Sequence, residues 1–285
     1  MKKVLLFGAS GNLGKEIAKE LVQQNYQLTV AVRSEAKAKT LSHITSAAVI
    51  VNACNADSFS VLQDSYDVIV SALGKSVSPN DNSKPGFKEV DLDGNSNILH
   101  YAVEKGIKKF VYISAFHAEK YPQLEYFRVH HLFAERLKSS GIDYSIIKPP
   151  ALFSAFIDII DMAKKGRLVN IGSGDKKTNP VYEGDLAAIV VKAIDQPNTV
   201  IEAGGKNIYT RKQLNEIINN EAGKSKKLRT IPLWLLNSML PLLKLFNKNM
   251  YDKFAFFTEV MQHDTIAPQI GATTFEAYVK QKAGN

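Results

Sequence analysis

Three glycines with regular spacing follow a short apolar run at the start of the chain. Residues 4–7 (VLLF) lead into a G-x-x-G-x-x-G run, and apolar residues then repeat at helical spacing over 17–22. A buried strand that ends in such a turn and continues as a helix presents free backbone N–H groups and the positive helix end to a diphosphate. The pattern predicts a dinucleotide-binding turn. Its expected contact residues are Gly8, Ser10, Gly11, Asn12, Leu13 and Gly14.

A basic residue at the end of the second predicted strand bears on which dinucleotide is bound. Arg33 lies 33 − 14 = 19 residues beyond Gly14, where sites that prefer NAD usually carry a carboxylate for the adenosine ribose. A guanidinium there pairs with a 2′-phosphate, and Lys37 adds a second positive charge one turn further on. The sequence therefore predicts NADP(H) in preference to NAD(H). Stacking of Arg33 on the adenine, or an Arg33 in solvent, is the alternative.

Short apolar strands alternate with helices along the first half of the chain. The predicted strands cover 3–7, 28–32, 48–51, 67–71, 109–114 and 144–148, with helices over 91–105 and 124–140. This alternation predicts an α/β fold with a doubly wound parallel sheet of the Rossmann type. We expect residues 1–150 to form the dinucleotide-binding domain. Residues 151–285 are expected to form a smaller, mixed C-terminal substrate lobe on the carboxyl edge of the sheet, with a further strand near 199–203.

Within the later part of the chain, two segments have readable patterns. Thr210-x-x-Gln213 is a capping box that predicts the start of a helix running toward Asn219. The apolar segment 231–246 is too short and too interrupted to span a bilayer. We expect it to be buried core, with a dimer face or an interfacial anchor as alternatives.

Composition and charge limit the classes of partner and ligand that we expect. The 285 residues carry a formal net charge of +8, but only 224–229 is a tight basic cluster, which we interpret as a solvated loop, so no nucleic-acid partner is expected. Cys54 is the one cysteine and cannot form an internal disulfide, and no cluster of Cys and His has the spacing of a metal site. The start MKK lacks the architecture of a signal peptide, and the cytoplasm is the expected location.

Six segments together resemble a known family. They are GASGNLG at 8–14, AVRS at 31–34, SALG at 71–74, FVYIS at 110–114, SGIDYSIIKPP at 140–150 and NPVYEGDLA at 179–187. In this order they resemble the atypical short-chain dehydrogenase/reductases, in particular the NmrA-like NAD(P)H-binding group with an extended C-terminal part. The resemblance implies further cofactor contacts on the nicotinamide side. These are Ala72, Leu73, Gly74, Ser114, Lys148, Pro149 and Ala151. Asn55 falls where the family often has an Asp near the adenine.

The resemblance also implies a catalytic trio, which this chain matches incompletely. Catalytic members use a Ser, a Tyr and a Lys four residues after the Tyr; here Ser114 and Tyr126 are present, but His130 replaces the lysine. A second alignment places Phe127 and His131 at the Tyr and Lys positions. A neutral imidazole lowers the pKa of a phenol less than an ammonium does. We expect one of them, His130 in the first alignment, to contact the cofactor ribose; surface or core histidines on the helix over 124–140 are the alternative.

The missing lysine separates three candidate functions. The weakened trio favours an NADPH-dependent reductase of a conjugated acceptor, such as a quinone, a flavin or an activated double bond, because such an acceptor can take its proton from water. The alternative is a non-catalytic NADP(H)-sensing regulator or scaffold of the NmrA type. A third interpretation is a nucleotide-sugar epimerase, or a membrane-associated complex subunit that docks through 231–246.

Overall fold

A seven-stranded parallel sheet forms the centre of the molecule. The computed structural model describes residues 1–62, 65–224 and 227–284. The strands are β1 (Lys3–Phe7), β2 (Gln27–Val32), β3 (Ala48–Ile50), β4 (Val68–Ser71), β5 (Lys109–Ile113), β6 (Asp143–Lys148), β7 (Asn170–Ile171), β8 (Lys177–Thr178), β9 (Thr199–Glu202), β10 (Tyr209–Thr210) and β11 (Thr230–Ile231). The order in the large sheet is β3-β2-β1-β4-β5-β6-β9, and every neighbouring pair is parallel.

Helices cover both faces of this sheet. They are α1 (Asn12–Gln23), α2 (Glu35–Lys39), α3 (Asn95–Glu104), α4 (Glu125–Lys138), α5 (Ile157–Lys164), α6 (Glu183–Lys192), α7 (Arg211–Glu221), α8 (Leu233–Phe246), α9 (Lys248–Val260) and α10 (Phe275–Ala283). A π-helical segment, Lys88–Gly94, leads into α3. Short 3-10 turns occur at Ala56–Val61, Ala118–Lys120, Phe153–Phe156 and Ala193–Asp195.

Alternating side chains of the central strands supply two separate cores. Val4 and Leu6 of β1 pack with apolar residues of α1 and α6 on one face. Leu5 and Phe7 pack with apolar residues of α3 and α4 on the other. Strands buried on both faces are therefore apolar throughout, which is why the sequence shows continuous rather than alternating runs. The predicted doubly wound α/β fold is confirmed, and the predicted strands agree with the observed ones to within a residue.

The C-terminal part is tied into the same sheet. Strand β9 pairs with β6, and α6 packs against α1, so residues beyond 150 complete the Rossmann layer. The rest forms a smaller cluster around Phe153, Phe275 and Tyr278, with β8 antiparallel to β10 and β7 parallel to β11. The division of the chain into two domains at residue 150 stays a prediction. The large sheet contains strands from both sides of that position.

The predicted capping box is present. Thr210 Oγ1 accepts from the Gln213 N–H at 3.1 Å, and the Gln213 side chain accepts from the Thr210 N–H at 2.7 Å. The helix predicted over 91–105 begins as the π-helical segment and becomes α-helical only at α3. Ser225 and Lys226, in the predicted basic loop, lie outside the described residues.

The prediction that 231–246 is buried core is wrong. None of the residues of α8 is buried, and Pro241 lies inside the helix. The sequence misled because apolar residues occur all round this helix, whereas α8 packs mainly against α9 and leaves a wide face uncovered. Among the helices of the described residues, none combines the length and apolar character that a membrane span requires.

Candidate dinucleotide site

The glycine turn is held against the loop that follows β4. Gly8 has φ +78°, and a Cβ there would lie 2.3 Å from the carbonyl oxygen of Ala72. At Gly14, a Cβ would lie 2.1 Å from the carbonyl oxygen of Gly8. Both contacts are with backbone, so neither position accepts a side chain without moving the chain. The turn, the start of α1 and the loop after β4 therefore form one close-packed backbone cradle.

The start of α1 presents backbone to solvent at this cradle. Gly11 precedes the helix as its N-cap and provides no side-chain cap, so the first N–H groups of α1 are left for another acceptor. Gly11 and Asn12 are exposed, and Ser10 is half-buried. Leu13 is buried in the core and can contribute only its backbone to a ligand. A diphosphate fits this arrangement, because it accepts from several N–H groups and is favoured by the helix dipole.

Arg33 follows β2 directly at the carboxyl edge of the sheet. It is exposed, and Ser34 behind it caps α2 by accepting from the Lys37 N–H. Burial raises the pKa of the nearby Cys54 thiol, as do Glu89, Asp93 and Asp91, while Arg33 lowers it. The charge of Arg33 therefore reaches the loop after β3; a contact of this region with the adenosine half of a dinucleotide stays a prediction.

Asn55 lies in that loop after β3. Its side-chain oxygen accepts from the Asp57 N–H at 3.2 Å and caps a short 3-10 turn. The residue is exposed. Its side-chain NH₂ group takes no part in this cap, and a contact between that group and the adenine stays a prediction.

The predicted nicotinamide-side residues lie at the same edge of the sheet, in loops except for Lys148, which is the last residue of β6. Ala72, Leu73 and Gly74 follow β4, and the Ala72 N–H donates to the Phe7 carbonyl at 3.1 Å. Beyond β6, the Pro149 carbonyl accepts from Phe116 at 3.2 Å and the Ala151 carbonyl from Val181 at 2.9 Å. These bonds fix the backbone of the loops in place.

Ser114 ends β5 with an unpaired hydroxyl. Its Oγ is buried and forms no hydrogen bond of ordinary geometry among the described residues. Burial raises the pKa of the neighbouring Tyr112 hydroxyl well above its usual value, and Ser114 only partly opposes that rise. Ser114 lines a cavity of about 260 Å³. Its lining residues are Ser114, Ala118, Glu119, His131, Ala134, Glu135, Lys138 and Lys148. A buried hydroxyl without a partner is poised to bond a ligand atom.

Lys148 forms the charged wall of this cavity. Its Nζ lies 2.8 Å from a Glu119 carboxylate oxygen. Burial raises the pKa of Glu119, but the hydrogen bond and charge of Lys148 help bring it below its usual range. The amine is therefore paired with Glu119. The predicted contact of Lys148 with the cofactor would then be made by its backbone.

His130 belongs to a buried hydrogen-bond network that the sequence does not reveal. Its Nδ1 lies 2.6 Å from the Tyr112 hydroxyl, and its Nε2 lies 3.4 Å from a carboxylate oxygen of Asp91. Asp91 also accepts from the Lys75 N–H at 3.1 Å. Burial lowers the pKa of His130 to about 4 and raises that of Asp91 well above its usual range. Both side chains are thus driven toward their neutral forms.

Tyr126 meets His130 through its ring. The ring centroids are 4.7 Å apart and edge to face, while both ring nitrogens of His130 face Tyr112 and Asp91. Burial and the Asp91 carboxylate raise the pKa of Tyr126 above its usual value. The structure therefore brings Tyr126 and His130 together, and in the described part of the chain no cation lowers the pKa of the phenol.

The second alignment places its residues apart. Phe127 packs in a cluster with Phe256 of α9, whereas His131 lines the cavity beside Ser114. Consecutive histidines on α4 therefore face different surroundings, because neighbouring helical residues point about 100° apart. His131 is the one that shares the cavity.

Sequence reasoning missed Asp91 and Tyr112. A signal for Tyr112 was present, since it lies two residues before Ser114 on β5 and therefore shares its face. Asp91 has no comparable signal. It lies 39 residues before His130 in the chain, and only the packing of α4 against the π-helical segment brings the two together. No group of three or more potential His, Cys, Asp or Glu metal ligands occurs among the described residues.

The NPVYEGDLA segment at 179–187 serves mainly to tie distant parts of the chain together. The Asn179 side chain donates to the Ala267 carbonyl at 2.8 Å and accepts from the Ala267 N–H at 3.0 Å. Asp185 accepts from the N–H groups of Ala272 and Thr273, both at 2.7 Å. The buried contacts of Asn179 and the more exposed contacts of Asp185 anchor the C-terminal stretch.

The parallel sheet, its strand order and the glycine turn define a Rossmann-type dinucleotide-binding protein. A family model described as NAD(P)H-binding matches residues 8–197, more than half of the chain. The chain belongs to this NAD(P)H-binding family, which confirms the predicted relationship to atypical short-chain dehydrogenase/reductases.

Relatives of different description are similar to this chain. The photosystem II assembly factor Ycf39 of Synechocystis is 22% identical, with coverage of 99% of this chain and 91% of its own. Divinyl chlorophyllide a 8-vinyl-reductase of Arabidopsis thaliana is 27% identical over 84% of this chain and 62% of its own. An NADPH-dependent quinone oxidoreductase from Escherichia coli, solved with NADPH, superposes with a TM-score of 0.71 at 20% identity and covers 98% of this chain and 99% of its own.

Proposed function

We propose that the protein is an NADPH-dependent reductase of a conjugated acceptor, such as a quinone, a flavin or an activated double bond. The observation that best supports this function is the buried Tyr112–His130–Asp91 network. In the alignment through Tyr126, His130 stands where the resemblance implies a permanent cation, and burial lowers its pKa, which favours the neutral imidazole at pH 7. Acceptors that depend on a strong protein acid are therefore disfavoured.

The described residues fit NADP(H) along the whole carboxyl edge of the sheet. Gly8, Gly11 and Gly14 provide the cradle for the diphosphate. The exposure of Arg33, and the lack of a carboxylate at that position for a ribose hydroxyl, support a contact with a 2′-phosphate. The loop Ala72–Gly74 and the Ser114 hydroxyl, which has no hydrogen-bond partner among the described residues, support a nicotinamide contact at the same edge. This is the basis for preferring NADP(H) over NAD(H).

The proposed reaction needs little from protein acids. When bound, NADPH would supply a hydride; with one proton from water this would reduce the acceptor by two electrons and leave NADP⁺. In a conjugated acceptor the developing negative charge is delocalised to an oxygen or nitrogen that water can protonate. An isolated ketone instead requires a proton at the carbonyl itself, and Tyr126 is too weak an acid to provide it readily.

The names of similar proteins support this class of acceptor. One is a vinyl-reductase, and another is an NADPH-dependent quinone oxidoreductase whose fold superposes over nearly the whole chain. A quinone and a vinyl group of a conjugated ring system are both activated acceptors. The acceptor of this protein is proposed from its own site chemistry, with these relatives as support.

The activity test follows NADPH absorbance with a naphthoquinone, a flavin and an enone, and with a saturated ketone as the comparison. We expect turnover with at least one conjugated acceptor and none with the ketone. Tyr126→Phe should retain activity to within about twofold, because a catalytic acid contributes about 10²-fold or more. Ketone reduction, or a loss of that size in Tyr126→Phe, would overturn the proposal.

Cofactor preference is tested separately by direct binding. Arg33→Asp should weaken NADPH binding by about tenfold to a hundredfold and leave NADH binding nearly unchanged, since a charge-assisted hydrogen bond contributes about 1.5–3 kcal/mol. The matched control is Lys39→Asp, an equal charge reversal at an exposed position of the neighbouring helix α2. Unchanged NADPH preference in Arg33→Asp would remove Arg33 from the site.

A non-catalytic NADP(H)-sensing regulator or scaffold is the second candidate. It is favoured by the assembly factor that matches 99% of this chain and by the altered catalytic trio. Tight NADPH binding without oxidation by any acceptor, together with partner capture that differs between NADPH and NADP⁺, would support it over the reductase. The cytoplasm remains the location predicted from the sequence.

A further inference from the structure

Helix α8 carries a wide apolar face that the rest of the described molecule does not cover. Trp234 is 68% exposed, Leu242 62%, Leu245 75% and Phe246 80%, and Leu235 and Met239 are exposed on the same side. At about 100° per residue these six side chains fall within an arc of about 140°. The remaining leucines, at 233, 236, 240 and 243, are only partly exposed and lie on the other side of the helix, where α9 packs.

The surroundings of this face are strongly basic. Residues 222–251 contain six lysines or arginines and no aspartate or glutamate. Lys244, in the last turn of α8, and Lys248, at the start of α9, are both exposed, and Lys248 Nζ also lies 2.6 Å from the Asp252 carboxylate. A face of this kind, apolar at its centre and cationic at its border, matches the chemistry of a bilayer surface that contains anionic lipids.

The face offers almost no directional bonding. Ser238 is the polar residue within the exposed arc, and its hydroxyl donates to the Leu235 carbonyl of the same helix at 2.8 Å. Interfaces between proteins usually carry about one hydrogen bond per 100–200 Å². A second copy of this chain would also bring two basic borders together. Both points disfavour a protein partner and favour acyl chains.

We propose that α8 lies in the interfacial region of an anionic lipid bilayer, with its axis along the membrane surface and the Trp234–Phe246 face in the acyl boundary. Basic residues around the face contact the lipid headgroups. The α8–α9 unit then forms the membrane-facing end of the molecule. This arrangement is independent of the reductase proposal, because it requires neither NADPH nor an acceptor.

The same unit is connected to the candidate site. Lys253 of α9 is fully buried and donates to the carbonyl oxygens of Ser78, at 2.8 Å, and Asp81, in the loop beyond Gly74. Phe256 of α9 packs against Tyr126, with ring centroids 4.4 Å apart. Docking of α8 would therefore place the site loop close to the bilayer.

The chain contains its own reporter, because Trp234 is its one tryptophan. The full-length protein is mixed with phosphatidylcholine vesicles, with or without phosphatidylglycerol, and binding is measured by flotation. Brominated acyl chains then test for insertion. We expect flotation and quenching of Trp234 fluorescence with the anionic vesicles, both reduced by high salt. Flotation without quenching would mean electrostatic adsorption alone and would overturn insertion.

Matched variants assign the binding to α8. Leu245→Glu with Phe246→Glu should lower the vesicle partition coefficient at least tenfold without changing the unfolding transition, since both side chains are exposed. The control is Val103→Glu, at a 50% exposed apolar position on α3, which should bind like wild type. Equal loss in both variants would overturn the assignment, as would a vesicle-independent dimer that the double substitution dissociates. Binding to polyglutamate but not to vesicles would also overturn it, because it would assign the face to an acidic protein.

Discussion

Substitution of Gly8 by alanine tests whether the turn is built by backbone contact. A Cβ at this position would lie 2.3 Å from the Ala72 carbonyl oxygen, so an ordinary contact of 3.4 Å requires a shift of 3.4 − 2.3 = 1.1 Å. The left-handed φ of +78° costs about 1–2 kcal/mol for alanine, and forced repacking adds about 1–3 kcal/mol. We therefore expect Gly8→Ala to lower the unfolding free energy by about 2–5 kcal/mol.

Gly141→Ala separates the two contributions. Gly141 has φ +81° and open space around its missing Cβ, so this variant should lose only the conformational part, about 1–2 kcal/mol. Both are compared by urea unfolding, and NADPH affinity is measured by fluorescence titration. Gly8→Ala should weaken NADPH at least about tenfold because the cradle and the Ala72 loop move apart, a change of about 1.4 kcal/mol. Equal stability and equal affinity in the two variants would refute the close-contact reasoning.

Three further predictions concern the surroundings of the site. In Asp91→Asn, His130 is the one titrating group left of the His130–Asp91 pair, and its pKa is lowered in the native state. As pH falls, the unfolded chain binds a proton at this histidine before the native state does. The free energy of unfolding should therefore drop by up to about 3 kcal/mol between pH 6.5 and pH 4. Wild type should show a flatter curve, because the raised pKa of Asp91 makes its stability fall as pH rises above about 4; equal curves would contradict this. Lys253→Met should cost about 2–3 kcal/mol in urea unfolding by removing the buried donor to the Ser78 and Asp81 carbonyls, and Lys212→Met, at an exposed lysine of α7, almost nothing. Thr210→Ala should lower the free energy of unfolding by about 1 kcal/mol through loss of the capping box, and no change would show that the cap does not stabilise the fold.

Local patterns were sufficient for most of the scaffold. The apolar runs that become β1 to β6 are buried on both faces of the sheet. Such strands are apolar at nearly every position, and this continuous pattern can be read from the sequence and predicts a parallel sheet. Thr210 and Gln213 interact across a single helical turn, and their cap was readable for the same reason. Gly8 and Gly14 were also readable, because a turn between a strand and a helix leaves few residue types that fit.

The environment of each polar group was decided by tertiary structure alone. The spacing of Tyr126 and His130 suggested a catalytic pair, but packing of α4 against the π-helical segment turns both nitrogens of His130 toward Tyr112 and Asp91. Burial there, rather than residue type, sets the protonation of that network. The apolar segment 231–246 likewise has a composition that fits either core or surface. Its exposure was settled only by which neighbours pack against α8, because sequence periodicity records which residues share a face but not what covers that face.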